Sequence, residues 1–325
     1  MRMSTAASDP ARASASNARN GRWLPAVPFV VREWVFLLNQ YRRLRRIARF
    51  RTPPADPAAL IEAVKRKQLV FTVTAGRSGT TYLTHLFELL PDIASLHEPQ
   101  PSFVYYLRQA QHAPAMARRF LLDYKLPFIA RHAETRYAET GHMLCKGFFE
   151  PLLELGIVPH IVILRRHPRL IATSLLTRRT VPARGKLGFK YLLHPADPGV
   201  LPLANWGART DYQLCFWYAL EIERRQRAYA ALLERAGGAS VDVTPDELRD
   251  GRRFLALLET LRLLDRSTDR EALLQRHREV SAVTYNPNPR PPIALASREA
   301  EEEAIWEAIT PHAPWLRADV ERRYG

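Results

Sequence analysis

A loop of small and hydroxyl-bearing residues is the first feature of this sequence that could do chemistry. It follows a β-branched apolar run and precedes apolar residues at helical spacing, and it reads Ala75-Gly76-Arg77-Ser78-Gly79-Thr80-Thr81. A loop between a strand and a helix offers backbone N–H groups and the positive end of the helix dipole to an anion. Its glycines allow close approach, its hydroxyls donate hydrogen bonds, and Arg77 adds charge. The segment therefore predicts a phosphate-binding site.

Two other interpretations of this loop stay open when it is taken alone. A P-loop nucleoside triphosphatase has the pattern GxxxxGK[ST]. Aligning the end of that pattern on Gly79-Thr80-Thr81 puts Thr74 at the first glycine and Thr80 at the lysine. Both defining residues are thus replaced, which disfavours a Mg²⁺-dependent nucleotide phosphotransferase. The second interpretation is a plain turn that binds nothing.

A second anion-binding pattern occurs further along the chain. The apolar run 161–164 predicts a strand that delivers Arg166, and Pro168 is suited to the first turn of a helix. Ser174 lies on that helix, eight residues after the arginine. A guanidinium at a strand end and a hydroxyl on the following helix can hold one phosphate between them.

Together the two segments resemble the nucleotide motifs of the PAPS-dependent sulfotransferase family (PAPS, 3′-phosphoadenylyl sulfate). The resemblance is closer to its carbohydrate and bacterial branches than to its cytosolic phenol branch, and it covers roughly residues 68–265. Arg77-Ser78-Gly79-Thr80-Thr81 matches the loop that holds the 5′-phosphosulfate, and Arg166-His167-Pro168 with Ser174 matches the segment that holds the 3′-phosphate. The resemblance implies sulfuryl transfer from PAPS to a hydroxyl of a carbohydrate, glycolipid or small metabolite, without a metal.

The resemblance also implies which residues carry the reaction. Arg77 would neutralise charge on the leaving group, and Glu98 in His97-Glu98-Pro99 would be the base that deprotonates the acceptor hydroxyl. His97 is the alternative base, and a merely structural role for Glu98 stays open. Lys146, at the end of an expected strand, could reach the acceptor or the sulfonate.

The elements that must position these residues alternate along the chain. Strands are expected at 68–74, 142–148, 159–164 and 240–243, and helices near 80–90, 168–179, 212–236 and 246–264. This alternation predicts an α/β, P-loop-like three-layer fold with a central, mainly parallel sheet and helices on both faces. The expected organisation is a disordered basic tail at 1–28, an N-terminal helical segment at 29–67 and the sulfotransferase domain at 68–325.

Charge and composition bound the remaining possibilities. The chain has 325 residues and a formal charge of +15, and residues 1–51 contain eleven arginines but only Asp9 and Glu33 as acids. This segment could make a peripheral membrane contact through residues 29–50, or simply pack on the body. No nucleic-acid partner is expected, because the charge lies mainly outside the motifs, although a basic membrane- or nucleic-acid-binding protein is a further alternative. Two cysteines without metal-ligand spacing favour the cytoplasm. The resemblance further implies that the proline-rich stretch 285–292 closes over the nucleotide, as the late basic loop of the family does, although it lacks that loop's usual glycine-rich pattern.

Overall fold

The computed structural model describes residue 42, residues 45–285 and residues 298–324. The expected tail at 1–28, residues 29–41, 43 and 44 of the segment 29–50, and the proline-rich stretch after Tyr285 lie outside the described residues. Ile47, in a helical turn at 45–48, is fully buried in the main core. This end of the basic segment therefore packs on the body of the protein.

A five-stranded, wholly parallel sheet forms the centre of the molecule. Its strands lie in the order β2-β3-β1-β4-β5. Their bounds are β1 Gln68–Val73, β2 Ile93–His97, β3 Arg136–Thr140, β4 His160–Leu164 and β5 Ser240–Val243. The central strand β1 is paired with β3 on one side and β4 on the other, so all carboxyl ends meet at one edge.

Thirteen α-helices, apart from the helical turn at 45–48, surround this sheet in the described part of the chain. They are α1 Pro57–Lys65, α2 Thr80–Phe87, α3 Leu107–His112, α4 Pro114–Phe120, α5 Leu126–Ala130, α6 Phe149–Glu154, α7 Pro168–Thr177, α8 Gly185–Tyr191, α9 Asp211–Arg235, α10 Gly251–Thr260, α11 Arg270–Ala282, α12 Glu299–Ile309 and α13 Leu316–Tyr324. A π-helical turn, Leu121–Lys125, joins α4 to α5.

Local sequence explains where the principal helices begin. Pro168 occupies the first turn of α7, where its missing N–H costs no hydrogen bond, and the side chain of His167 accepts from the backbone N–H of Arg169. The 25-residue helix α9 begins with a capping box formed by Thr210 and Gln213. These caps fix the starts of the two helices that carry or brace the motifs expected to bind anions.

Alternation along the strands sends side chains to two separate cores. Phe71 and Ile163 belong to the larger core, which is covered by α9 and its neighbours, whereas Val70 and Val162 belong to the smaller one under α2, α10 and α11. Because both faces of the sheet are covered, its central strands are apolar throughout. The expected three-layer α/β fold is confirmed.

The prediction of a strand at 142–148 is wrong. The strand of this region is β3, which ends at Thr140, and the apolar run Met143-Leu144-Cys145 is buried in a turn. Lys146 N donates to the Met143 carbonyl, and Gly147 has a φ of 89°, which turns the chain into α6. The apolar residues of this segment suggested a strand, but a buried turn has an equally apolar sequence. Strand β2 was not expected at all.

Within the described ranges, no helix is both long and apolar enough to cross a bilayer.

Candidate functional site

The loop between β1 and α2 lies at the carboxyl edge of the sheet, at its central strand. Gly76, Arg77 and Gly79 all have positive φ angles, of 83°, 62° and 81°. Arg77 is strained in this region of φ, whereas the glycines adopt it freely. Gly79 caps α2 without a side-chain hydrogen bond, so the first amides of the helix remain available to an anion.

The long helix α9 and a hydrogen bond within the loop hold this loop in place. Tyr218 Oη donates to the Ala75 carbonyl at 2.8 Å. Ser78 Oγ donates to the Gly76 carbonyl at 3.1 Å, so this buried hydroxyl braces the loop instead of pointing outward. Thr80 and Thr81, at the start of α2, are partly exposed and remain suitable for contacting a phosphate.

The two sequence motifs meet at this loop. Arg77 Nε donates to Ser174 Oγ at 3.2 Å, across 97 residues of sequence. Arg166, just after β4, donates from Nη1 to the Arg77 carbonyl at 2.6 Å. Strand β4 lies beside β1 in the sheet, and this pairing carries the second motif to the first. The structure thus brings together the loop, Arg166 and Ser174.

Within the part of the chain that the structure describes, this arrangement leaves a cluster of positive charges without carboxylate partners at ion-pair distance. Burial, with the charges of Arg178 and Arg166, lowers the pKa of Arg77 to about 10. Burial also lowers the pKa of Arg166, which Asp246 partly opposes. Both guanidiniums remain charged at neutral pH, and nearby negative charges do not fully balance them. An arriving anion would relieve that repulsion.

Arg178 is a member of this cluster that sequence reasoning missed. Its Nε and Nη2 atoms are buried and have no hydrogen-bond partner within the described residues. Ser174 lies one helical turn earlier, so the two residues share a face at the end of α7. That spacing of four residues was the available signal. Two buried guanidinium nitrogens without hydrogen-bond acceptors need an explanation, and a bound anion would provide one.

Glu98 lies at the same edge of the sheet, directly after β2. Its φ is 45°, and its N–H donates to the Thr140 carbonyl at 3.1 Å. Glu98 Oε1 accepts from the backbone N–H of His142 at 3.3 Å. The Glu98 side chain is 28% exposed, so it is held from one side and open on the other. His97 instead points its Nδ1 to the Thr140 carbonyl at 3.0 Å and lies on the rim.

Lys146 lies elsewhere than the sequence suggested. It is fully buried, and its Nζ contacts His142 Nδ1 and the Tyr191 carbonyl, both at 2.6 Å. His142 therefore separates Lys146 from Glu98. His142 itself was not singled out from sequence, because it stood inside a segment expected to be a strand.

A cavity lined by residues of α7, α12 and α13 lies apart from this site. Its walls include carboxylates and arginines that are already paired with each other, such as Glu302 with Arg169 and Glu303 with Arg317.

The proline-rich stretch contributes only Tyr285 to the described structure, where its ring lies 4.4 Å from that of His85. In residues 42, 45–285 and 298–324, no group of three or more His, Cys, Asp or Glu side chains is arranged to hold a metal ion.

No protein-family model matches the chain, and no curated protein matches it. The fold alone defines its class, an α/β protein with a five-stranded parallel sheet and a glycine-containing loop between the central strand and the helix that follows.

Proposed function

We propose that this chain is a sulfotransferase that moves a sulfuryl group from PAPS to an acceptor hydroxyl. The observation that carries the proposal is the convergence of Arg77, Arg166 and Ser174 at the carboxyl end of β1. Open α/β sheets bind ligands at this edge. A sequence resemblance resting on two separated motifs gains weight when the chain folds them into one place.

A nucleotide with two separate phosphate groups suits this arrangement. The amides at the start of α2 offer one anion position, and Arg166 with Ser174 and Arg178 offers another. A nucleoside triphosphate would instead favour a lysine where Thr80 stands. The cluster therefore fits the 5′-phosphosulfate and the 3′-phosphate of PAPS better than a linear triphosphate.

The proposed reaction is an in-line displacement at sulfur. The acceptor oxygen forms the new bond, the bond to the bridging oxygen breaks, and adenosine 3′,5′-bisphosphate leaves with that oxygen. Arg77, which stays protonated at neutral pH, would act as a cationic clamp on the transferred and leaving groups. Orientation and charge neutralisation would supply most of the catalysis, as in phosphoryl transfer.

Glu98 would take the proton of the acceptor hydroxyl. Burial raises its pKa, but the groups around it, among them the His142 backbone N–H and Lys146, lower it further than burial raises it and leave the pKa below its ordinary value. The carboxylate is thus ionised at neutral pH and able to accept a proton. The acceptor would be a carbohydrate, a glycolipid or a small metabolite.

Calorimetric titration with adenosine 3′,5′-bisphosphate, with and without Mg²⁺, tests the proposal. Binding should not depend on Mg²⁺, and Arg166→Ala should weaken it about 30- to 150-fold, since a charge-assisted hydrogen bond contributes about 2 to 3 kcal/mol. Arg235→Ala is the matched control, because Arg235 is exposed and ends α9 at the opposite edge of the sheet.

Two results would count against a sulfotransferase. Binding of ATP that requires Mg²⁺, with no binding of the bisphosphate, would favour a nucleotide phosphotransferase. Equal losses in the Arg166 and Arg235 variants would show that the bisphosphate responds only to general positive charge.

A further inference from the structure

Three ionisable side chains lie in a row beside the anion-binding loop. His142 Nε2 is 3.4 Å from Glu98 Oε1, and His142 Nδ1 is 2.6 Å from Lys146 Nζ. The far end of the row is closed, because Lys146 also donates to the Tyr191 carbonyl at 2.6 Å. The near end is Glu98, the only one of the three that is more than one-fifth exposed.

Packing holds the imidazole of His142 in this row. A Cβ atom at Gly76 would come within 3.0 Å of His142 Cγ, so the absence of a side chain in the loop makes room for the ring. The ring of Tyr191 lies 6.2 Å away on another side. A Cβ atom at Gly141 would come within 2.9 Å of Glu98 Cγ, so the carboxylate arm is confined as well.

The contact with Lys146 selects one tautomer of the imidazole. An ammonium group has no lone pair and can only donate, so Nδ1 must accept and the ring proton must sit on Nε2. That N–H then faces Glu98. At 3.4 Å the contact is long, which is usual for catalytic hydrogen bonds before substrates bind.

We propose that His142 and Lys146 are a positioning pair for Glu98: Lys146 fixes the Nε2–H tautomer of His142, and His142 orients the carboxylate that faces the acceptor. This inference rests on the proposed function, since it assigns Glu98 the role of the base. Neither residue touches the reacting atoms. Both act through Glu98, as an orienting group acts through a general base.

The charges around the pair suit this role. Burial and the charge of Lys146 lower the pKa of His142 to about 3, so the ring stays neutral and offers an N–H instead of a competing positive charge. Besides Lys146, the ring faces Glu98, His97 and Arg77.

Lys146 is the member of the pair that titrates near neutrality. Burial lowers its pKa to about 7, and its surroundings include Cys145, Glu98, Arg108 and Arg225, with the ring of Tyr218 at 5.2 Å. Below this pH the ammonium donates to His142 Nδ1. Above it the neutral amine no longer enforces the tautomer. The rate should therefore fall as pH rises through the pKa of Lys146.

Single-turnover hydrolysis of PAPS, with water as the acceptor, tests the pair without knowledge of the natural acceptor. His142→Ala should lower the rate roughly 10- to 100-fold and leave the affinity for adenosine 3′,5′-bisphosphate unchanged, because only the base loses its partner. His142→Gln should recover most of the rate, since its amide can donate to Glu98 and accept from Lys146. Glu98→Gln sets the floor.

Lys146→Met and nitrogen NMR provide two readouts that a purely structural role would not move. The alkaline limb of the rate profile should disappear in Lys146→Met, and the wild-type ring should show a protonated Nε2 and a bare Nδ1. A wild-type ring protonated on Nδ1, an unchanged rate in His142→Ala, or equal losses of rate and bisphosphate affinity would each overturn the pair. A wild-type protein that binds no bisphosphate would instead defeat the proposed function itself.

Discussion

Two neighbouring arginines after β4 have opposite surroundings. Arg165 is 4% exposed, and its Nε lies 2.6 Å from both carboxylate oxygens of Asp242. Its Nη1 donates to Gln226 Oε1 at 2.7 Å and also pairs with Glu223. Arg166 points to the loop, where it meets a carbonyl and other guanidiniums.

The pKa directions express the same difference. Burial lowers the pKa of Arg165, but Glu223 and Asp242 outweigh it and leave the pKa raised. For Arg166 burial prevails and the pKa is lowered. The charge of Arg165 is neutralised by carboxylates of the protein itself. Within the described residues the charge of Arg166 is not, which is what a site for an external anion would need. Arg165 and Arg166 thus differ in whether a carboxylate pairs with them, Arg165 being buried among carboxylates and Arg166 partly exposed beside a carbonyl.

The largest expected effect separates the two regions by stability. Arg165→Met should lower the free energy of unfolding by about 3 to 5 kcal/mol, because it leaves Glu223 buried without its cation. Arg166→Met should change it by less than about 1 kcal/mol, since it also removes repulsion from Arg77. Urea unfolding of both variants measures the difference. Similar losses in both would show that the unpaired cluster is part of the structural framework.

A smaller effect is expected for Arg178, and it concerns binding alone. Arg178→Ala should weaken binding of adenosine 3′,5′-bisphosphate about tenfold, which is about 1.4 kcal/mol. Its free energy of unfolding should stay equal to that of the wild type or rise, because two unsatisfied donors and a like charge are removed. Calorimetry and urea unfolding check the two parts, with Arg235→Ala as the control. Lost stability with unchanged affinity would move Arg178 out of the site.

The smallest effect is expected for the hydroxyl that joins the motifs. Ser174→Ala should weaken bisphosphate binding only about threefold, well under 1 kcal/mol, because Arg166 and the loop amides remain. Thr173→Ala is the matched control, since the neighbouring hydroxyl donates to the Arg169 carbonyl within the same helix. If the two variants bind equally, Ser174 serves only to hold Arg77.

Several parts of this arrangement could be predicted from the sequence. The strands β1, β4 and β5 and the helices after them follow from the residue pattern and the caps, and their alternation predicts the parallel sheet. The loop and Arg166 could be recognised because residue types and spacing carry their chemistry. The segment 142–148 failed for a physical reason, since a buried turn and a buried strand are equally apolar. Because of that error, His142 was not identified as a candidate site residue.

The sequence by itself determined most of the order of the elements and the positions of the two motifs proposed to bind anions, because both depend on neighbours along the chain. Only the tertiary structure decided that β4 pairs with β1, which brings Arg166 and Ser174 to Arg77. It also decided that Arg178 remains unsatisfied, that Lys146 is buried behind His142, and that Glu98 faces this pair. These features depend on which groups from distant parts of the chain lie next to each charged side chain. The spacing of residues along the sequence carries no information about such neighbours.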